Sequence, residues 1–173
     1  MDIFYHFDHT GEALRPGLVM HSMPLPTEVQ IDERTTLNRW FPSGVTRFGI
    51  GIILKQLHKW ALERELELES IRRERFANLP SRYVSVFACQ SAKDLDPLRD
   101  ESCLLGCGGK HGRIWKVKGR AVFQGDMYLF KQYIGKMRTA AALYWSQQAS
   151  GDPLYEYLLK PPVTVLEEVH EAS

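Results

Sequence analysis

The chain has 173 residues, 44% hydrophobic and 25% charged, with 22 Lys plus Arg against 21 Asp plus Glu. That length suits one domain with a single core, and that composition excludes a disordered or collagen-like chain. A net charge of +1 excludes the broad basic footprint of a nonspecific nucleic-acid coat, while leaving room for a local basic patch. The longest apolar run, around residues 50–54, falls far short of the ~20 residues of a membrane span. Asp2 and the absence of a cationic leader argue against a Sec signal peptide. Cys89, Cys103 and Cys107 are odd in number and show no framework spacing. We therefore expect a reduced, cytoplasmic setting, a pattern that an effector exported by another route would share.

In chain order, residues 3–7 (IFYHF) read as a strand, closed by the Thr10-Gly11 turn signal. Residues 14–23 turn at Pro16-Gly17 and then extend, and residues 29–43 read as loop anchored by Trp40 and Phe41. A long helix is predicted across 48–76, with Ile53, Leu57, Trp60, Leu68 and Ile71 at helical spacing and Arg64 interrupting the stripe. Its charge-rich stretch reads as the solvated face of one packed helix, with Glu69 and Arg73 able to pair one turn apart. Residues 82–89 (RYVSVFAC) read as a strand. Residues 91–99 read as a short helix capped by Ser91 and Asp94. A glycine-rich loop fills 101–112, and a strand broken near Gly119 fills 113–123. A helix is predicted within 128–147, and strands at 154–159 and 163–169 flank a Lys160-Pro161-Pro162 break. Helices and strands alternate irregularly, so the fold class is α+β, in one domain spanning 1–173.

Among chemical motifs, Cys103, Cys107 and His111 carry zinc-ligating groups. Their spacing is wide and a fourth ligand must come from Cys89 or His58, so buried thiols in a loop are the plainer reading. Gly106, Gly108 and Gly109 precede Lys110, but His111 stands where a phosphate-binding loop needs Ser or Thr. No G-x-S-x-G elbow is present. A basic run of Lys110, Arg113, Lys116, Lys118 and Arg120 suits a phosphate backbone, with Trp115 to stack; a strand edge facing water is the plainer reading. Three polar features remain. His6 sits mid-strand between aromatics; Tyr83 and Ser85 share one face of a predicted strand, with Arg82 on the other; Glu156 lies between large apolar residues. A carboxylate so placed is costly to bury unless it is paired or used. A core histidine, a packing tyrosine and an edge-strand glutamate are the alternatives on residue type alone.

Taken in order, Tyr5-His6, Arg15-Pro16-Gly17, Arg73 with Phe76, Pro80-Ser81-Arg82, Gly125-Asp126, Tyr144-Trp145 and Glu156 with Leu158 form a pattern. On these landmarks the chain resembles an uncharacterised bacterial domain family (DUF2441-like) grouped with the ADP-ribosyltransferase-like fold superfamily. The resemblance covers nearly the whole chain, residues 24–47 and 100–112 least well. It implies a split mixed β-sheet with a long helix and an NAD cleft. By the same resemblance His6 would bond a ribose hydroxyl, and Tyr83 or Ser85 would take the middle-strand position, the tyrosine ring on nicotinamide. Glu156 would be the catalytic carboxylate, favouring positive charge on the ribose as nicotinamide leaves. Arg82 or Arg15 would neutralise the pyrophosphate. Leu154 stands where arginine-modifying toxins carry Glu or Gln, so arginine is not the implied acceptor. No second tyrosine follows near Asp94, which leaves Phe87 or Trp115 to flank nicotinamide.

The expected activity is transfer of ADP-ribose from NAD to an unidentified macromolecular acceptor, protein or nucleic acid, with release of nicotinamide. A non-catalytic protein- or nucleic-acid-binding module of the same fold and an NAD glycohydrolase are the alternatives. No metal and no membrane are expected.

Overall fold

The computed structural model describes residues 1–8, 14–29, 31–54, 59–99 and 112–170. Strand β1 covers Asp2–Asp8, β2 Val19–Met20, β3 Val86–Ala88, β4 Arg113–Asp126 and β5 Tyr155–Val169. Helices are α1 Ile31–Trp40, α2 Arg47–Ile53, α3 Lys59–Arg75, α4 Asp96–Arg99, α5 Tyr128–Gln132 and α6 Met137–Trp145. The five strands form one antiparallel sheet in the order β1-β4-β5-β2, with β3 on β5. The class is therefore α+β. Among the described residues no helix is long and apolar enough to cross a membrane.

Long strands β4 and β5 form the spine. Their pairing carries register shifts between Lys116 and Val117, Lys118 and Arg120, and Ala121 and Phe123. Such irregularities bend a sheet, and here the two halves of the spine take different partners. The first half of β4 holds β1, while the first half of β5 holds β3. A bridge between Tyr5 and Cys89, with two 2.8 Å backbone hydrogen bonds, then joins β1 to the end of β3. The path β1-β4-β5-β3 thereby closes on itself. Phe4, Val86, Ala88, Trp115, Val117, Leu159, Val163 and Val165 pack together inside it. A second core lies between α3, α6 and the spine, built on Leu68, Ile71, Phe123, Tyr144, Trp145 and Leu158. The Trp145 indole N–H donates to the Leu68 carbonyl at 2.7 Å, fixing α6 on α3.

Several elements differ from the sequence reading. Residues 31–40 are helix, not loop. Among its described side chains Leu37 joins a core, with Phe41 just beyond the helix, while Trp40 is exposed, and so thin an apolar stripe does not show as a period. The predicted long helix is two pieces: Thr46 caps α2 at Gly49, Leu54 ends it, and α3 begins at Lys59. The predicted strand at 82–89 opens instead as a 3-10 turn, Arg82–Val84, and only Val86–Ala88 pairs. Ser81 Oγ accepts the Tyr83 N–H and Ser85 Oγ donates to the Ser81 carbonyl, so local side-chain bonds override the β propensity of Tyr and Val. Gly135, at φ 75°, divides the predicted 128–147 helix into α5 and α6. Strand β5 runs through Pro161 and Pro162, which fall between the stretches paired to β3 and β2, where no ladder N–H is needed. The Ser91 cap forms as expected, with Asp94 closing the box.

Candidate functional site

Helix α3 turns an unusual face to the protein. Ala61, Arg64, Glu65, Leu68, Glu69, Ile71 and Arg72 are all buried. The charge-rich stretch is thus not simply a solvated face: its helical period runs through charged residues as well as apolar ones. Isolated ions there would be prohibitive, so partners must meet them.

Arg82 meets Glu65. The 3-10 turn places the guanidinium so that Nε donates to Glu65 Oε2 at 2.6 Å and Nη2 to Oε1 at 3.0 Å. Arg64 adds bonds to the same carboxylate from Nε at 3.2 Å and Nη2 at 3.1 Å. Nη1 of Arg82 reaches onward to the Tyr144 hydroxyl at 2.8 Å and to Glu156 Oε1. Tyr144 in turn donates to Glu156 Oε1 at 2.6 Å. Two carboxylates and two guanidiniums therefore balance around one phenol. Glu156 is 5% exposed, and both of its described partners use the same oxygen. Gly125 makes room for the phenol: a Cβ there would stand 2.2 Å from the Tyr144 ring. Because Gly125 is opposite Glu156 in the β4–β5 register, the missing side chain is what lets Tyr144 reach the carboxylate.

Burial alone would raise the Glu65 carboxyl, but the charges of Arg82 and Arg64 and their hydrogen bonds hold it below its ordinary value. Burial pushes the Tyr144 phenol up to about 12, against the pull of Arg82. It is a neutral donor at physiological pH, as its bond to Glu156 requires.

His6 connects to this cluster through Phe87. The Phe87 ring lies 4.3 Å from the Arg82 guanidinium carbon, and its carbonyl lies 2.6 Å from His6 Nδ1. A carbonyl only accepts, so Nδ1 is the donor in this bond. Glu156 faces the α3–α6 side with Leu158, whereas His6 pairs with Trp115 on the side of the closed ring. Strand β3 stands between them.

The other sequence candidates lie elsewhere. Tyr83 is buried with Phe41, Val45 and Ile52, its ring stacked on Phe41 at 5.2 Å. Burial, helped by the Glu69 and Glu65 charges, pushes its phenol up. Gly49 of α2 packs so closely that a Cβ would meet the Tyr83 carbonyl at 2.2 Å. Ser85 is buried on the Ser81 carbonyl. The expected shared strand face of Tyr83 and Ser85 does not exist, because the 3-10 turn rotates them apart from strand alternation. Arg15 is exposed at the turn whose Gly17 N–H bonds Val165. Cys89 is a buried thiol raised to about 12 by burial and by Asp94. Cys103, Cys107, His111, Lys110 and His58 lie outside the described residues. Among the described residues no three potential ligands gather to hold a metal.

A second cluster caps the end of α3. Glu69 accepts from Arg72 at 2.8 and 3.0 Å, from the expected partner Arg73 at 2.7 Å and from Ser81 Oγ at 2.7 Å. Arg72 Nη1 binds the carbonyls of Ala77 and Leu79, satisfying the chain as it leaves the helix.

Sequence reasoning found Arg82 and Glu156 but missed Arg64, Glu65 and the role of Tyr144. One signal was available. Arg64 and Glu65 occupy the i, i+3, i+4 positions of the apolar stripe with Ala61 and Leu68, and charges inside such a stripe demand partners from elsewhere in the chain.

The family model described as protein of unknown function (DUF2441) matches residues 29–171, and the chain belongs to that family. No curated protein matches it. The matched span contains the whole Glu65–Arg82–Tyr144–Glu156 cluster and leaves out β1 with His6.

Proposed function

We propose that this DUF2441 protein is a bacterial, NAD-dependent ADP-ribosyltransferase of the ADP-ribosyltransferase-like superfamily, with Glu156 as its catalytic carboxylate. The observation that carries the reading is the fixed placement of Glu156: one oxygen is held by both Tyr144 and Arg82, and Phe87 links that cluster to His6. The reading needs a cleft, and the Tyr5–Cys89 bridge, a single one between β1 and β3, is where the closed ring is joined by the fewest bonds.

NAD, the substrate, supplies an activated bond between nicotinamide and ribose. Glu156, oriented in advance and largely dry, favours positive charge developing on the ribose as that bond breaks and nicotinamide leaves with its electron pair. The acceptor then bonds to the ribose carbon and gives up its proton. His6, across β3 from Glu156, is the candidate partner for a ribose hydroxyl, its ring held by the Phe87 carbonyl. Arg82 is fully engaged with Glu65, Tyr144 and Glu156, so its role is to position Glu156. Arg15, exposed on its turn, is the cation left for the pyrophosphate. Tyr83, in the α2 core, serves the fold. The acceptor is a macromolecule, protein or nucleic acid.

The test is nicotinamide release from NAD by the purified protein, read together with intact mass of candidate acceptors. Release with an adduct of ADP-ribose on an acceptor is expected, and it should be lost in His6→Ala at unchanged melting temperature. Free ADP-ribose without an adduct would identify an NAD glycohydrolase instead.

One observation favours a second reading. A carboxylate neutralised by a buried arginine and facing α3 is also what a structural ion pair looks like. On that reading the protein is a non-catalytic binding module of the same fold. Absence of both nicotinamide release and any thermal shift with millimolar NAD selects it.

A further inference from the structure

The outer side of the sheet, away from the closed core, carries cations from two strands. Tyr5 pairs with Lys116 and Ile3 with Lys118 across β1 and β4, while Arg120 pairs with Lys160 across β4 and β5. Paired residues share a face and alternate residues return to it, so Tyr5, Lys116, Lys118, Arg120 and Lys160 stand on one surface. Trp115 and Val117 point the other way, into the core. Trp115, 3% exposed, is therefore not the ring beside these cations; half-buried Tyr5 is.

The cations differ in how they are used. Arg113 bonds Glu168 at 3.3 Å and Lys116 bonds Glu167 at 3.0 Å. Lys118, Arg120 and Lys160 are exposed, and no hydrogen bond or ion pair among the described residues uses them. Arg120 and Lys160 are direct cross-strand partners. Like charges so opposed work against the sheet, and folding gains nothing from that arrangement. A chain of negative charges laid over the two strands would relieve it. Lys118 and Arg120, roughly 7 Å apart at two residues' rise, suit a run of anions better than one small ion.

We propose that this face binds single-stranded nucleic acid. The three unpaired cations meet successive phosphates. Tyr5, on the same face beside Lys116 and packed against the Phe7, Cys89, Leu95 and Ile114 cluster, offers the exposed part of its ring to a base, the combination of cations and aromatic platform that single strands use. An exposed Ile3, 41% accessible, extends the apolar part of the platform. The inference does not rest on NAD chemistry, and its test contains no NAD.

The experiment is fluorescence anisotropy of a labelled oligo(dT) of about twenty nucleotides with the full chain, between about 50 and 200 mM salt. Three phosphate contacts predict a slope near −2 in log affinity against log salt, at about −0.7 per contact. Lys118→Gln/Arg120→Gln/Lys160→Gln should weaken binding at least tenfold and flatten that slope. Arg120→Gln alone should weaken it severalfold and lower the slope by about one contact's share. Tyr5→Leu should weaken it about fivefold or more with the slope unchanged. Melting temperatures of the charge variants should hold or rise, since they remove repulsion. Absence of oligonucleotide binding at about 50 mM salt, unchanged binding by folded charge variants, or stronger binding to polyglutamate than to oligo(dT) would each overturn the proposal.

Discussion

Two groups of charges lie along the same β4–β5 spine and obey opposite rules. On the α3 side, Glu65, Arg64, Arg82 and Glu156 are buried, alternate in sign and are joined by Tyr144. Further along the same face of β5, beyond Leu158, Lys160 stands with its partner Arg120 and with Lys118, all three exposed and alike in sign. The buried group is tolerable only because every charge has its partner; desolvation makes each one dependent on the rest. Water screens the exposed group, so its members cost little to the fold and are available to something else. Burial, more than the count of charges, decides whether a charge belongs to stability or to binding.

The largest effect follows from breaking the inner group at its hub. Among the described residues, Arg82→Met leaves Glu65 with Arg64 and Glu156 with Tyr144. Removing one partner of a buried pair costs about 3–5 kcal/mol, and urea denaturation should show a loss of that order. Tyr144→Phe is next. It deletes one donor to Glu156 and one acceptor of Arg82, at about 1–3 kcal/mol for charged hydrogen bonds left unmet.

Acid supplies a graded version of the same break. The folded carboxyl of Glu65 sits below its ordinary 4.5. A depressed folded pKa contributes stability above the unfolded value and loses it as pH falls through the folded one. The unfolding free energy should therefore drop as pH is lowered from about 4.5. Glu65→Gln should be less stable at neutral pH and flatter across that window. The smallest effect belongs to the exposed group. Arg120→Gln should leave the melting temperature unchanged or slightly raised, because it removes one of two opposed like charges.

Legibility in the sequence followed the range of the interaction. β1 and the Ser91 cap came from nearest neighbours: aromatic and β-branched residues in a run, and a serine with an aspartate three residues on. The Glu69–Arg73 pair needed only one helical turn. The class α+β came from the mixture of such signals. The turn at Arg82 escaped because its β propensity is strong and its reason for bending, the Ser81 cap together with an ion pair to Glu65, spans 17 residues. Arg82 and Glu156 are 74 residues apart, and their contact leaves no local trace. Tyr144 looked like part of an apolar helix stripe because its ring is one, packed in a core with Phe123 and Phe130; its hydroxyl alone meets Glu156. The continuous β5 was hidden by two prolines that break strands in most settings but here sit between two ladders.

The central claim is that Glu156 is held by Arg82 and Tyr144 in order to act on NAD. Its most direct test compares nicotinamide release from NAD by the wild-type chain and by Glu156→Gln, with melting temperatures and circular dichroism taken on both. The amide keeps an acceptor for Tyr144 and removes the negative charge. We predict release by the wild type and a fall of about 10²–10³ in rate for a folded Glu156→Gln, the scale on which a fixed electrostatic group acts. Equal rates in the two proteins, or no release by a folded wild type, would contradict it.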